Sequence, residues 1–210
     1  MQLTSFPGNQ YKQDFFGKLN YPFIPKRSIL DVGCGGGSDG AIFMNYYNLH
    51  WYGTDIYEDP LLKNLKANFR LGNILKLPYP RNKFDYVFTH DVLHHLDEPA
   101  QSKNIHFKAL AELRRVCKKN GVMIIVEGNR FNPLFYPHMV LLLGHNHFRQ
   151  TYFKDLIKEA FSRDAVKFHF FEAHLYPSLF LPLFRIYEWI MEHLAPESFL
   201  AYNAALITKK

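Results

Sequence analysis

The chain has 210 residues, with 25 Lys plus Arg against 19 Asp plus Glu, a formal net charge of +6 and a hydrophobic fraction of 48%. These values exclude a disordered chain, and two cysteines, Cys34 and Cys117, exclude a disulfide scaffold. At roughly 150 residues per domain the length favours one domain. The N-terminus lacks the basic and apolar regions of a signal peptide, so a soluble, cytoplasmic protein is expected.

In chain order, residues 1–25 carry Pro7, Pro22, Pro25 and several aromatics, and read as an irregular arm with one helix over residues 10–19. Residues 26–210 read as one α/β domain. Short apolar runs at 28–32, 50–54, 68–71, 84–88, 122–126, 166–171 and 201–208 are candidate strands. Helical stretches fall between them. One follows a glycine cluster and is capped by Ser38 or Asp39. A long one over 100–119 is stopped by Asn120-Gly121, and a third spans 151–160 with Thr151 as its cap. Residues 176–194 place Leu183, Ile186, Tyr187, Ile190 and Leu194 on one face and Arg185, Glu188 and Glu192 on the other. This alternation is the pattern of a doubly wound, mostly parallel sheet with crossover helices. Lys103, Lys108, Arg114, Arg115, Lys118 and Lys119 are spread along one helix, which reads as a solvated face and not as a nucleic-acid stripe. The uncharged stretch 131–148 is broken by Pro133, Pro137 and Gly144, so it is a poor membrane span.

The strongest motif is Ile29-Leu30-Asp31-Val32-Gly33-Cys34-Gly35-Gly36-Gly37, a strand running into a glycine turn and a helix. Glycines let the backbone turn with φ > 0 and approach a ligand closely. The spacing is D-x-G-x-G-x-G, not the G-x-G-x-x-G of dinucleotide binders. Asp55 closes the next strand about 20 residues on, where a carboxylate can accept from both ribose hydroxyls.

Together these residues resemble the class I S-adenosylmethionine-dependent methyltransferases, in particular the small-molecule branch. The resemblance covers about residues 27–130. Gly72-Asn73-Ile74 with Leu77-Pro78-Tyr79 is similar to the family's G-D-A…L-P-F segment. Residues 84–96 are similar to its fourth-strand segment, and 127–133 to its E-P-N-R-F-N-P ending. The resemblance implies a seven-stranded sheet of order 3-2-1-4-5-7-6 with the last strand antiparallel. It implies S-adenosylmethionine as cofactor, leaving S-adenosylhomocysteine. The loop Gly33, Cys34, Gly35 and Gly37 would lie against the methionine moiety, with Asp31 near its ammonium. Asp55 and the following Ile56 would hold the ribose, Asn73 and Ile74 the adenine. Thr89 and His90 would lie near the sulfonium. Asn73 stands where the family usually has Asp, and its amide oxygen can still accept a hydrogen bond.

His90, Asp91, His94 and His95 form a dense set, and a helix would put His90 and His94 on one face at a zinc-binding spacing, with His145 and His147 as further donors. No carboxylate or cysteine is spaced to complete such a site, so no metal is expected. His94 and His95 are the candidates for a general base, with Glu127 and Arg130 as neighbours. The apolar segments 131–148 and 175–197 fall where an acceptor site would lie, and the aromatic arm, with Tyr11, Phe15, Phe16 and Tyr21, is expected to close over the bound cofactor. The expected reaction moves a methyl group to a small, partly apolar acceptor, at oxygen. Membrane contact is less favoured than a pocket, because the polar face of 176–194 is not rich in Lys or Arg. An RNA methyltransferase and a non-catalytic cofactor-binding module are the alternatives. The acceptor and the oligomeric state are left open.

Overall fold

A parallel strand buried on both faces needs cover above and below, and this chain supplies it with helices between successive strands. The computed structural model describes residues 9–65, 68–98, 100–174 and 181–210. The strands are β1 (Ser28–Val32), β2 (His50–Asp55), β3 (Phe69–Leu71), β4 (Phe84–His90), β5 (Cys117–Gly128), β6 (Ala165–Phe171) and β7 (Tyr202–Thr208). They form one sheet in the order β3-β2-β1-β4-β5-β7-β6. β1 to β5 pair in parallel, and β7 runs antiparallel between β5 and β6. This is the expected topology. The helices are α1 (Asn9–Leu19), α2 (Ser38–Asn45), α3 (Lys103–Val116), α4 (Gln150–Ala160) and α5 (Leu181–Leu194).

Two apolar layers hold the sheet. On one face Leu110 and Leu113 of α3 and Phe153 and Leu156 of α4 pack with Val87 and Ile125. On the other, Phe15 and Phe16 of α1 and Phe43 of α2 pack with Phe88, Ile124 and Val126. Each fully buried side chain of this size contributes about 1.5–3 kcal/mol relative to exposure. The N-terminal arm therefore includes a helix whose Phe15 belongs to the core; residues 1–8 lie outside the described residues. Among the described residues no helix is long and apolar enough to cross a membrane.

Three local expectations need correction. The long helix is shorter than 100–119: it starts at Lys103 and ends at Val116, where Cys117 is already extended and begins β5. Asn120, with φ 60°, still makes the turn into Gly121, but inside the strand. His90 and His94 do not share a helix face. His90 ends β4, Asp91 takes φ 54°, and residues Leu93–His95 form a single 3₁₀ turn.

The third correction concerns α5. Its first residues were expected from 176; 175–180 lie outside the described residues. Of its charged residues Glu188 turns inward, where Lys18 of α1 reaches it at 2.9 Å and Glu192 beside it at 2.8 Å, while Arg185 stays exposed. Leu183, Ile186, Trp189, Ile190 and Leu194 are exposed instead. The apolar side was read as cover for the sheet or, in preference, as a lid over an apolar pocket; ion pairs from the other end of the chain turn Glu188 inward in its place.

Candidate cofactor and acceptor site

The carboxyl ends of β1, β2 and β4 and the start of the antiparallel β7 gather at one edge of the sheet. The loop after β1 is tied to β2 by Gly33 N and Cys34 N, which donate to Thr54 O at 2.8 and 3.3 Å. Gly33 has φ 76°, and a Cβ on it would lie 2.3 Å from Val92 Cγ2. Only glycine lets the loop turn so close to the segment after β4. Asp55 stitches the loop from the other side: Oδ2 accepts from Gly35 N at 2.8 Å and Oδ1 from Ile56 N at 2.7 Å. A carboxylate has about four acceptor positions, so roughly two remain for a ligand.

Between these elements lies a cavity of about 470 Å³ lined by Gly33, Gly35, Asp55, Ile56, Asn73 and Ile74, with Tyr57, Asp91, Val92 and His95 completing the wall. Its size is within the roughly 300–1,000 Å³ of small-molecule sites. Asn73 uses its amide oxygen to accept from Leu75 N at 2.9 Å, which leaves one lone pair for a ligand. The donors, the open glycine backbone and the carboxylate fit a nucleoside with a free ribose diol.

Other residues expected at the cofactor lie behind this wall. Asp31 is buried and accepts from Trp51 Nε1 at 3.1 Å. Burial and the nearby charge of Asp39 raise its pKa. Cys34 is buried, and burial pushes its thiol up. Gly37, with φ 80°, ends the loop at the start of α2, which has no side-chain cap. Asp39 is engaged elsewhere, in an ion pair with Lys12 at 2.7 Å. Burial alone would raise the Asp39 carboxyl, but Lys12 and His90 outweigh it and hold it low. Thr89 is fully buried. His90 Nδ1 lies 3.3 Å from Asp39 Oδ2, and its ring stacks on Phe15 at 4.3 Å. This Lys12–Asp39–His90 group closes the floor beneath α1.

A second cavity, of about 510 Å³, adjoins the first and shares Asp91 with it. Leu134, Phe135, His138 and Met139 line it from the segment after β5, Phe184 from α5, and Tyr11 and Tyr202 from the two ends of the chain. Tyr11 and Tyr202 share a hydroxyl hydrogen bond of 2.5 Å. Sequence reasoning placed Tyr11 only in an arm closing over the cofactor and missed Tyr202 as a site residue. An antiparallel last strand starts at the edge where parallel strands end, and that rule points to Tyr202.

The histidines separate. His95 reaches the first cavity and faces Glu98 at 3.4 Å. His94 is buried and lines neither cavity; its Nδ1 donates to Glu127 Oε2 at 2.7 Å. Glu127 Oε1 also accepts from Val92 N and Leu93 N. Burial alone would lower the His94 pKa, but Glu127 outweighs it and raises it. His147 borders the second cavity, and both its ring nitrogens are buried with no hydrogen-bond partner. Burial pushes it down to about 4, so the ring is neutral at pH 7. A buried polar group without a partner costs about 1–3 kcal/mol.

Residues 30–125 match the family described as a methyltransferase domain. An uncharacterized methyltransferase of Schizosaccharomyces pombe is 37% identical over 125 residues, 52% of this chain and 42% of that protein. Phosphoethanolamine N-methyltransferase 1 of Arabidopsis thaliana is 28% identical over 107 residues, 47% of this chain and 21% of that one. The chain thus spans less than half the length of these curated relatives. A solved SAM-dependent methyltransferase from Archaeoglobus fulgidus superposes with a TM-score of 0.68 at 20% identity, covering 97% of this chain and 95% of that one.

Proposed function

We propose that this chain, whose residues 30–125 match a methyltransferase domain, is a class I S-adenosylmethionine-dependent methyltransferase that methylates a small, partly apolar acceptor at an oxygen atom. The observation that carries the reading is the adjacency of the two cavities, one walled by the glycine loop and Asp55, the other by aromatic and apolar side chains, meeting at Asp91. Gly33, Gly35 and Asp55 hold the nucleoside, and Asn73 and Ile74 its base. S-adenosylmethionine held by these residues would supply an electrophilic methyl group to an acceptor oxygen, with its sulfonium as the leaving group.

The acceptor's hydroxyl proton needs a base at the junction. His95 has access to the first cavity and is the assigned base. His94, fixed by Glu127, is a positioning residue. Phe135, Met139 and Phe184 exclude water around an apolar acceptor and keep it aligned, which is a large part of what a transfer of this kind requires.

RNA as substrate is disfavoured by the basic residues of α3 and the start of β5. Lys103, Arg114, Arg115 and Lys118 are each ion-paired, with Glu159, Asp164, Glu112 and Asp85. Paired in this way, these four do not form an open cationic stripe for phosphates. The test is transfer of isotope-labelled methyl from S-adenosylmethionine to a panel of small phenols, quinols, amines and a mixed RNA. Label in hydroxylated aromatics or apolar alcohols supports the reading. Label in amines or RNA alone overturns it. Binding of the nucleoside with no transfer to any compound supports a non-catalytic module.

A further inference from the structure

We propose that Asp91, His94 and His147 form a site for a first-row divalent cation such as Zn²⁺, set in the wall between the two cavities. Each contributes one ligand atom, and these atoms lie within 4.8 Å of one another. Sequence spacing supplied no carboxylate for the histidines. The fold supplies one, by turning Asp91 through a left-handed backbone and bringing His147 in from the loop before α4.

Each donor is prepared in a different way. Asp91 Oδ1 accepts from Gly128 N at 2.7 Å, which fixes the carboxylate. His94 has its Nδ1 committed to Glu127, so Nε2 carries the free lone pair. That carboxylate–histidine arrangement is the outer-shell support that orients metal-bound imidazoles. His147 is 3% exposed and has no partner for either nitrogen. Its ring lies 4.3 Å from that of His94. Atoms bound to one zinc ion are about 3.3–3.5 Å apart, given bonds near 2.0–2.1 Å. The ligand atoms, within 4.8 Å of one another, would draw together by up to about 1.5 Å on binding, and the His147 ring has no hydrogen bond to hold it back.

Two imidazoles and one carboxylate suit Zn²⁺, Co²⁺ or Fe²⁺ better than Mg²⁺ or Ca²⁺, which prefer oxygen. Three protein ligands leave a coordination position open. Asp91 borders both cavities and His147 the second, so the open position is at their junction. There the ion would hold an oxygen of the acceptor. That role rests on the methyltransferase reading, whereas the site itself does not. A second group, His95, Glu98 and His145, is nearer the surface and serves as a control. Its Glu98 already accepts from Asn146 N at 3.0 Å.

The test uses the full chain, stripped with a chelator and titrated with Co²⁺, read by visible absorption, with Zn²⁺ uptake counted after dialysis. The expected result is one ion per chain at micromolar affinity or tighter. Glu127→Gln should weaken it by about 10–100-fold, and His147→Ala by more. His145→Ala should leave it unchanged. If His147→Ala fails to fold by circular dichroism, Asp91→Asn replaces it with the same expectation. Folded wild type that takes up no stoichiometric ion overturns the proposal, as does binding that survives His147→Ala or Asp91→Asn and is lost in His145→Ala. Titrating S-adenosylhomocysteine into the same samples keeps the two readings apart. Co²⁺ bound without the nucleoside upholds the ion site and removes its role at a methyl acceptor. The nucleoside bound without Co²⁺ does the reverse.

Discussion

Replacing Asp55 by Asn tests the ribose assignment at the level of single lone pairs. The carboxylate has about four acceptor positions. Gly35 N at 2.8 Å and Ile56 N at 2.7 Å occupy one on each oxygen. A ribose diol would fill the other two. Asparagine keeps one oxygen and presents an NH₂ in place of the second. That NH₂ must face either a backbone N–H, donor against donor, or one of the two ribose hydroxyls, which then has to accept. The variant loses a charge-assisted hydrogen bond of about 1.5–3 kcal/mol and gains a mismatched contact, for about 2–4 kcal/mol in total, or roughly 30–1,000-fold in affinity. Isothermal titration of S-adenosylhomocysteine into wild type and Asp55→Asn reads this directly, with circular dichroism confirming the fold. An affinity within about threefold of wild type would mean that Asp55 only staples the glycine loop.

Three further outcomes are expected. Gly33→Ala forces a side chain into a backbone of φ 76° and 2.3 Å from Val92 Cγ2. A loss of about 1–3 kcal/mol, or roughly 2–10 °C in melting temperature, should follow, and an unchanged melt refutes the close approach. At Asp85 burial favours the neutral acid, but hydrogen bonds from Ser28 and Lys118 outweigh it and hold the pKa at about 2, below the ordinary 3.8. This depressed carboxyl stabilises the fold above its unfolded-state pKa, and the contribution is lost as pH falls through its folded one. Asp85→Asn should therefore cost about 1–2 kcal/mol in urea melts at pH 7 and progressively less toward pH 2; a pH-independent cost contradicts the ion-pair account. Trp189→Gln on the exposed side of α5 should change stability by less than about 0.5 kcal/mol. A loss of 2 kcal/mol or more would place that face in the core.

The strands were readable because a buried parallel strand is encoded locally, as in Val122 to Val126, where every second neighbour is apolar too. Asp55 was readable because its place follows from the end of a strand, not from any contact. The orientation of α5 was not. Its two faces are sorted by Lys18, which lies 170 residues from Glu188. The histidines were misjudged for a related reason. A spacing of four suggests a helix, and only the positive φ of Asp91 shows that β4 runs straight into a turn. His147 then joins His94 by way of a loop whose path no local pattern reveals. Cys34 and Asp31 show the opposite limit: their neighbourhood in the motif was evident, but whether they face the cavity or the sheet depends on Trp51 of the adjoining strand.

The packing of α1 also sets a timetable for biosynthesis. Its Tyr11 bonds to Tyr202, 191 residues later, and its Lys18 carbonyl accepts from His169 Nε2. At about 5–20 residues per second, the first helix waits roughly 10–40 seconds after leaving the ribosome for β7 to emerge. During that interval Phe15, a core residue in the finished protein, lacks Phe171 and Tyr202, two of the rings it packs against. Until then one face of this helix waits for the distant strand that covers it. A pulse-chase experiment should find it bound by a chaperone until the last strand is complete.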